Sequence, residues 1–442
     1  MTVACCVALL VAVVPADSRQ WPAFLGSGAT AGAVAESQLP LEWSPEHGIS
    51  WQAEIPGHGQ SSPVVWGDHV FVTSVEGPKK ETYHTLCVNL STGQVEWARD
   101  LANSTPIDNS LYVSRAAPTP VVDAQRVVVF FESGGCVAYS HSGEILWTRD
   151  LAKDYGPFIA EFGLGASPCQ TDDRVYVLLE HDGPSHLVAL DKQTGQTVWQ
   201  VDRTPRRSWS SPAVLDVGGA PQIVVSSAGS IDGYSTETGE LLWTYNQVGG
   251  NTGTTPIDCG DGKFLVGASA GQQGENAEEA KISNCLMQVS QEGTQWRVDK
   301  LWMNQEVSPS WASPIMHQGL AYWINRGGVV SCLDANTGEM VYKERSKQSC
   351  WATPIAVGER IYLFGKDGVV SVLASGREFK LLAENALWSA DDPPLDASLQ
   401  TQEKGEQRQR AAAMFGGATL YGAAIVDQAI IARIGNRLYC IQ

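Results

Sequence analysis

The sequence predicts an all-β protein, an eight-bladed β-propeller of four-stranded antiparallel blades, closed by one N-terminal strand and three C-terminal strands. Three observations lead to this reading. A phrase recurs at Pro63, Pro120, Pro168, Pro212, Pro256, Pro314 and Pro354, always a small residue and proline followed by a hydrophobic pair. Each copy breaks into four short apolar runs separated by turn residues. Two complementary partial copies stand outside the seven full ones.

In chain order, Met1 to Ala16 carries an apolar core from Val3 to Val14 and a cleavage-like Val14-Pro15-Ala16, which reads as a signal peptide over 1–16. No Lys or Arg precedes it, so the usual positive n-region is missing. The run is too short for a membrane span, no later stretch supplies one, and no lipid anchor is supported. Residues 17–48 form an N-terminal strap in which Trp21-Pro22-Ala23-Phe24 lies on the ring. The propeller occupies 49–442, and Ile49 to Ile55, with Trp51 twelve residues before Pro63, has the spacing of a fourth strand.

The seven full copies follow. Their second halves turn at Thr92-Gly93, Ser142-Gly143, Thr194-Gly195, Thr238-Gly239, Glu292-Gly293, Thr337-Gly338 and Ser375-Gly376. Glycine there permits positive φ, and the neighbouring Thr or Asp binds its own backbone. The aromatic beyond each turn, Trp97, Trp147, Trp199, Trp243, Trp296, Tyr342 or Phe379, fills the wedge between adjacent blades, and an indole N–H there seeks a backbone acceptor in the neighbour. After the seventh copy, Asp391 to Arg410 is polar and reads as an irregular insertion near 388–412. Tyr421 to Ile441 then matches the first three strands of a repeat but stops before the fourth, which Ile49 to Ile55 supplies. No ten-residue window within the sixth copy sustains helical spacing.

Composition narrows the function classes. With 43% hydrophobic and 18% charged residues, the chain supports a packed core, and a net charge of −18 repels phosphate backbones, so no nucleic acid partner is expected. Cys87, Cys332 and Cys440 stand at the small position of the third strand and read as buried thiols. Cys136, Cys169, Cys259, Cys285 and Cys350 lack C-x-x-C spacing, so no metal site is expected.

Ala189-Leu190-Asp191-Lys192-Gln193-Thr194-Gly195-Gln196-Thr197-Val198-Trp199 resembles the tryptophan-docking repeat of quinoprotein-like (pyrroloquinoline-quinone-like) β-propellers of the exported bacterial type. Cys332 to Gly338 and Asn89 to Trp97 repeat it. The resemblance spans about residues 49 to 441. It implies an exported protein, periplasmic or secreted, in a family that includes quinone dehydrogenases and outer-membrane assembly scaffolds. The dehydrogenases of that family imply a vicinal disulfide, a calcium site and an aspartate base. Here the one Cys-Cys pair is Cys5-Cys6 in the signal, and no acidic cluster marks the inter-blade loops.

Two sets of residues converge by repeat arithmetic on one end of the channel. Trp209, Trp311 and Trp351 each precede an innermost strand, as a recognition floor or as rim packing. Glu132, Glu180, Arg326 and Lys366 each lie twelve residues beyond a repeat proline, and Arg115 adds to the same mouth. Two acids and two bases there orient a polar ligand or pair with one another. No catalytic constellation is present, no cofactor is expected, and the reading is a monomeric, non-catalytic binding or scaffolding propeller for a protein, peptide or small polar ligand. The alternative is a quinoprotein-type oxidoreductase using pyrroloquinoline quinone and calcium on an alcohol or sugar.

Overall fold

The second strand of each repeat is packed between two neighbouring sheets, so its apolar residues need not alternate. Arg174–Leu179 is buried along nearly its whole length, whereas Thr197–Arg203, the outer strand of the same blade, exposes much of its surface. The computed structural model describes residues 18–26, 36–271 and 274–442. It contains seven sheets with the predicted antiparallel meander and an eighth in which Ile49–Glu54 pairs with Arg437–Ile441, followed by Ala429–Ile434 and Leu420–Val426. Blades one to seven begin at Val64, Val121, Cys169, Ala213, Ile257, Ile315 and Ile355. The expected signal segment lies outside the described residues. Among the described residues no helix is long and apolar enough to cross a membrane.

The docking turn has a two-part physical basis. In blade three, Asp191 Oδ1 accepts from the Gln193 and Thr194 amides, and Gly195, at φ +71°, donates back to the Asp191 carbonyl. A Cβ on Gly195 would lie 2.6 Å from the Trp147 ring of blade two. Trp147 Nε1 then reaches the Lys192 carbonyl at 2.9 Å. Trp51, Trp97 and Trp199 donate in the same way to Leu90, His141 and Thr236.

Three aromatics depart from expectation, one of them Phe379, which lies ahead of its fourth strand and packs on Tyr342 while Ala383 holds the docking position. In blade five the docking residue is Trp302, which donates to Ala335 and covers Gly338, not Trp296. The hairpin of that blade is longer, so the turn at Gly293 stands away from the wedge and the docking position falls later on the strand. Trp243 is buried as expected, but its indole donates to Gln222 Oε1 of its own blade at 2.7 Å instead of a backbone carbonyl next door.

The small residue before each repeat proline has a role that the word small does not convey. The amide of Ser62 donates to Thr119 Oγ1, Thr119 to Ser167, Ser167 to Ser211, Ser211 to Thr255, Thr255 to Ser313 and Ser313 to Thr353, at 2.9 to 3.2 Å. This chain of hydroxyls joins blades one to seven around the inner wall. A buried amide left without such a partner costs about 1 to 3 kcal/mol, so the ladder favours one register between blades.

The N-terminal strap enters the ring. Gln20–Trp21 pairs antiparallel with Val65 and Trp66 of the innermost strand and makes blade one five-stranded. The Pro22 carbonyl accepts from Val122 of blade two and from Gln170 of blade three, while Leu25 packs against the cores of blades five to seven. The eight third-strand and inter-blade cysteines among the described residues are free thiols. The insertion expected to be irregular contains the helix Glu406–Phe415, whose Glu, Gln, Arg and Ala residues favour helix without an apolar stripe.

Candidate functional site

Trp311 and Trp351 leave the tops of blades six and seven and meet edge to face, their ring centroids 4.7 Å apart. Arg326 lies over the Trp311 ring at 5.7 Å and Lys366 Nζ over Trp351 at 4.9 Å. Each cation follows the second strand of the blade whose tryptophan it covers, which is why one repeat offset placed both. Burial lowers the Lys366 ammonium from its usual value. Such cation–π pairs contribute roughly 0.5 to 2 kcal/mol, most when water is excluded.

The polar insertion reaches the same end. Asp396 bonds His58 at 2.5 Å, the Gln402 amide donates to the Asn109 carbonyl, and Glu403 accepts from the Leu111 amide and the Ser110 hydroxyl. The helix Glu406–Phe415 carries Arg408 to Glu161 at 3.1 Å and over the Tyr112 ring. Phe415 closes on Trp351 and Trp311 at 5.8 and 6.4 Å, and Lys366 Nζ donates to the Gly416 carbonyl. The segment therefore spans from blades eight and one to blades six and seven. Sequence reasoning did not place it here, because its contacts are made by unlike residues outside the repeat.

Repeat arithmetic put Glu132 and Glu180 on one side of the channel and Arg326 and Lys366 on the other, and in the structure both acids are buried in ion pairs of their own. Glu132 is buried against Lys80 Nζ at 2.9 Å, and its oxygens accept from the Ala116 amide. Glu180 is buried against Arg203 at 2.6 Å, and Arg203 also holds Asp232 and the Tyr234 hydroxyl. Lys80, Arg203 and Asp232 were not singled out by the sequence, since a partner across strands has no fixed offset. Arg115 is buried, with Nη1 on the Ser110 carbonyl. Trp209, ahead of blade four, packs instead on Phe162 and donates to the Gly163 carbonyl at 3.2 Å. Trp209 and Trp311 each remain more than a third exposed. The structure thus brings together Trp311, Trp351, Arg326 and Lys366, adds Phe415, and leaves Arg115, Glu132, Glu180 and Trp209 in other surroundings.

A quinone with calcium does not fit these residues. Trp21, Phe24 and Leu25 line one pocket together with Trp311, Trp351 and Thr353, and Phe415 closes on the same indoles. The acids that would hold a cation near the mouth are committed to Lys80 and Arg203.

Known proteins match this architecture. An outer membrane protein assembly factor BamB of Alkalilimnicola ehrlichii is 26% identical over 220 residues, 48% of this chain and 49% of that protein. A polyvinylalcohol dehydrogenase of a Pseudomonas species is 25% identical over 270 residues, 51% of this chain and 39% of that protein. The chain thus spans about half the length, or less, of these two relatives. The crystal structure of BamB from Moraxella catarrhalis superimposes with a TM-score of 0.58 at 14% identity, covering 89% of this chain and 99% of that one, and shares the fold. The family model covers residues 92–272 and 286–427, most of the ring, and on that match the chain belongs to the family described as outer membrane protein assembly factor BamB.

Proposed function

We propose that this chain is a non-catalytic scaffolding propeller of the periplasm or secreted space, serving outer-membrane protein assembly by holding a protein partner at the end of the ring where Trp311 and Trp351 stand. The observation that carries the proposal is the paired indoles under Arg326 and Lys366, partly exposed beside the helix Glu406–Phe415. Aromatic and arginine side chains dominate the energetics of protein interfaces, whereas exposed ion pairs contribute about 0 to 1 kcal/mol. Family membership supports the assembly role.

The test is complementation in a strain lacking the gene, reading the folded outer-membrane protein content. The unaltered chain is expected to restore it, and the Trp311→Ala, Trp351→Ala double variant, shown by circular dichroism to be folded, is expected to fail. Full restoration by the folded double variant would remove this end of the ring as the docking site. Apoprotein mixed with pyrroloquinoline quinone and calcium is expected to show neither saturable binding nor substrate-dependent dye reduction; a stoichiometric, turning-over complex would replace the scaffold reading by an oxidoreductase.

A further inference from the structure

We propose that blade one carries a binding site for a zinc-class divalent cation, formed by His69, Cys87 and Glu96 from its second, third and fourth strands. This site lies apart from the channel mouth and does not depend on the proposed scaffold role. His69 Nε2 stands 3.2 Å from Glu96 Oε2, Cys87 Sγ stands 3.7 Å from the same oxygen, and the three ligand atoms lie within 4.8 Å of one another. Zinc–nitrogen and zinc–oxygen bonds of about 2.0 to 2.2 Å and a zinc–sulfur bond of about 2.3 Å give a tetrahedron with edges of roughly 3.3 to 3.6 Å. The side chains therefore stand near a coordinating arrangement already.

The repeat shows how unusual this combination is. Every blade has a bulge where the fourth strand meets the small position of the third. The extra residue is Leu146, Val198, Leu242, Leu301, Val341 and Leu382 in blades two to seven and Ser50 in blade eight. In blade one it is Glu96. Opposite the turn-forming residue, where blades two and three have Arg126 and Arg174, blade one has His69. The small position, Ala138 and Ala189 in those blades, is Cys87. Blades six and eight also carry cysteine at that position, as Cys332 and Cys440, so the two departures particular to blade one are His69 and Glu96, which bring metal-binding side chains onto Cys87.

The surroundings suit the role. Asn89 Nδ2 holds Glu96 Oε1 at 2.9 Å, leaving Oε2 turned toward His69 and Cys87. His141, anchored through Nε2 to the Asp123 carbonyl, packs edge-on against the His69 ring at 5.5 Å. Partners of this kind fix ligand orientation and raise metal affinity. Cys87 is buried, while His69 and Glu96 are about one-third exposed and leave an entry path and a fourth position for water. On binding, the metal–sulfur bond replaces the thiol's S–H bond and the proton passes to solvent.

Cobalt(II) titrated into the full metal-free chain is the probe, because a cobalt–thiolate bond gives a near-ultraviolet charge-transfer band and tetrahedral cobalt gives intense visible bands. One equivalent is expected to develop both, and one equivalent of zinc to abolish them. Cys87→Ala and Glu96→Leu install residues that other blades carry at the same places, so both variants are expected to fold. The thiolate band should vanish in Cys87→Ala, and affinity should fall at least about tenfold in Glu96→Leu. No thiolate band in the full chain, or a band that persists in folded Cys87→Ala, would overturn the site.

Discussion

Gly195 shows how a single residue joins two blades. Its positive φ and the 2.6 Å approach of an added Cβ to Trp147 are separate obstacles to substitution. Left-handed backbone costs a residue with a side chain about 1 to 2 kcal/mol and overpacking about 1 to 3. Gly195→Ala should therefore destabilise the chain by about 2 to 5 kcal/mol in urea unfolding, whereas Gly293→Ala, at φ +64° with open space around it, should lose only about 1 to 2. Equal losses would mean that the indole is not part of the constraint. At this scale the sequence was informative about glycine and tryptophan because they recur in register. It was silent about the hydroxyl ladder, since Ser and Thr before a proline read only as small and polar until the neighbouring amide is seen.

At the scale of elements, the insertion from Trp388 to Gly416 is held down by a buried link between His58 and Asp396. Burial, with Arg115 and Arg433 close by, lowers His58 from 6.5 to about 4, against the raising effect of Asp396; Tyr421 is its other neighbour. Between those values the unfolded chain binds a proton that the folded chain excludes, so stability is greatest above pH 6.5 and falls as pH drops toward 4. The full loss is roughly 3 kcal/mol. Burial raises the Asp396 carboxyl, but its interactions with His58 and Ser398 together outweigh that and hold it below its usual range, which adds a further loss at lower pH. Urea midpoints at pH 7.5, 5.5 and 4.5 should decline in this order, and His58→Gln should flatten the slope; a parallel decline in the variant would assign the acid sensitivity elsewhere. Strand positions were legible from turn chemistry, but the path of this insertion was not, because Asp396, Glu403 and Phe415 find partners more than 60 residues away, outside the repeat.

At the scale of the whole molecule, the ring is held by pairs such as Ile49 with Ile441. A chain beginning at residue 57 lacks that strand and should lose cooperative thermal unfolding and aggregate through the bare edge of blade eight. A chain beginning at residue 36 keeps the closing strand, lacks the channel strand, and should remain monomeric in sedimentation. Aggregation of both to the same extent would show that the channel strand, not closure, limits integrity. Closure was legible because an incomplete repeat at one end and a spare strand at the other complement each other. The mouth was half legible: counting from the prolines located Arg326 and Lys366 beside their indoles, but the same count could not reveal that Lys80 and Arg203 would claim Glu132 and Glu180.

The short strand Gln20–Trp21 has a consequence for how anything can approach this ring. Eight similar blades would offer a visitor eight nearly equivalent orientations. By attaching to blade one alone and sending Pro22 to blades two and three and Leu25 toward blades five to seven, the segment marks one sector and makes every other sector distinguishable by its distance from that mark. Seen along its axis, the ring is thus a numbered dial whose zero is set by this strand.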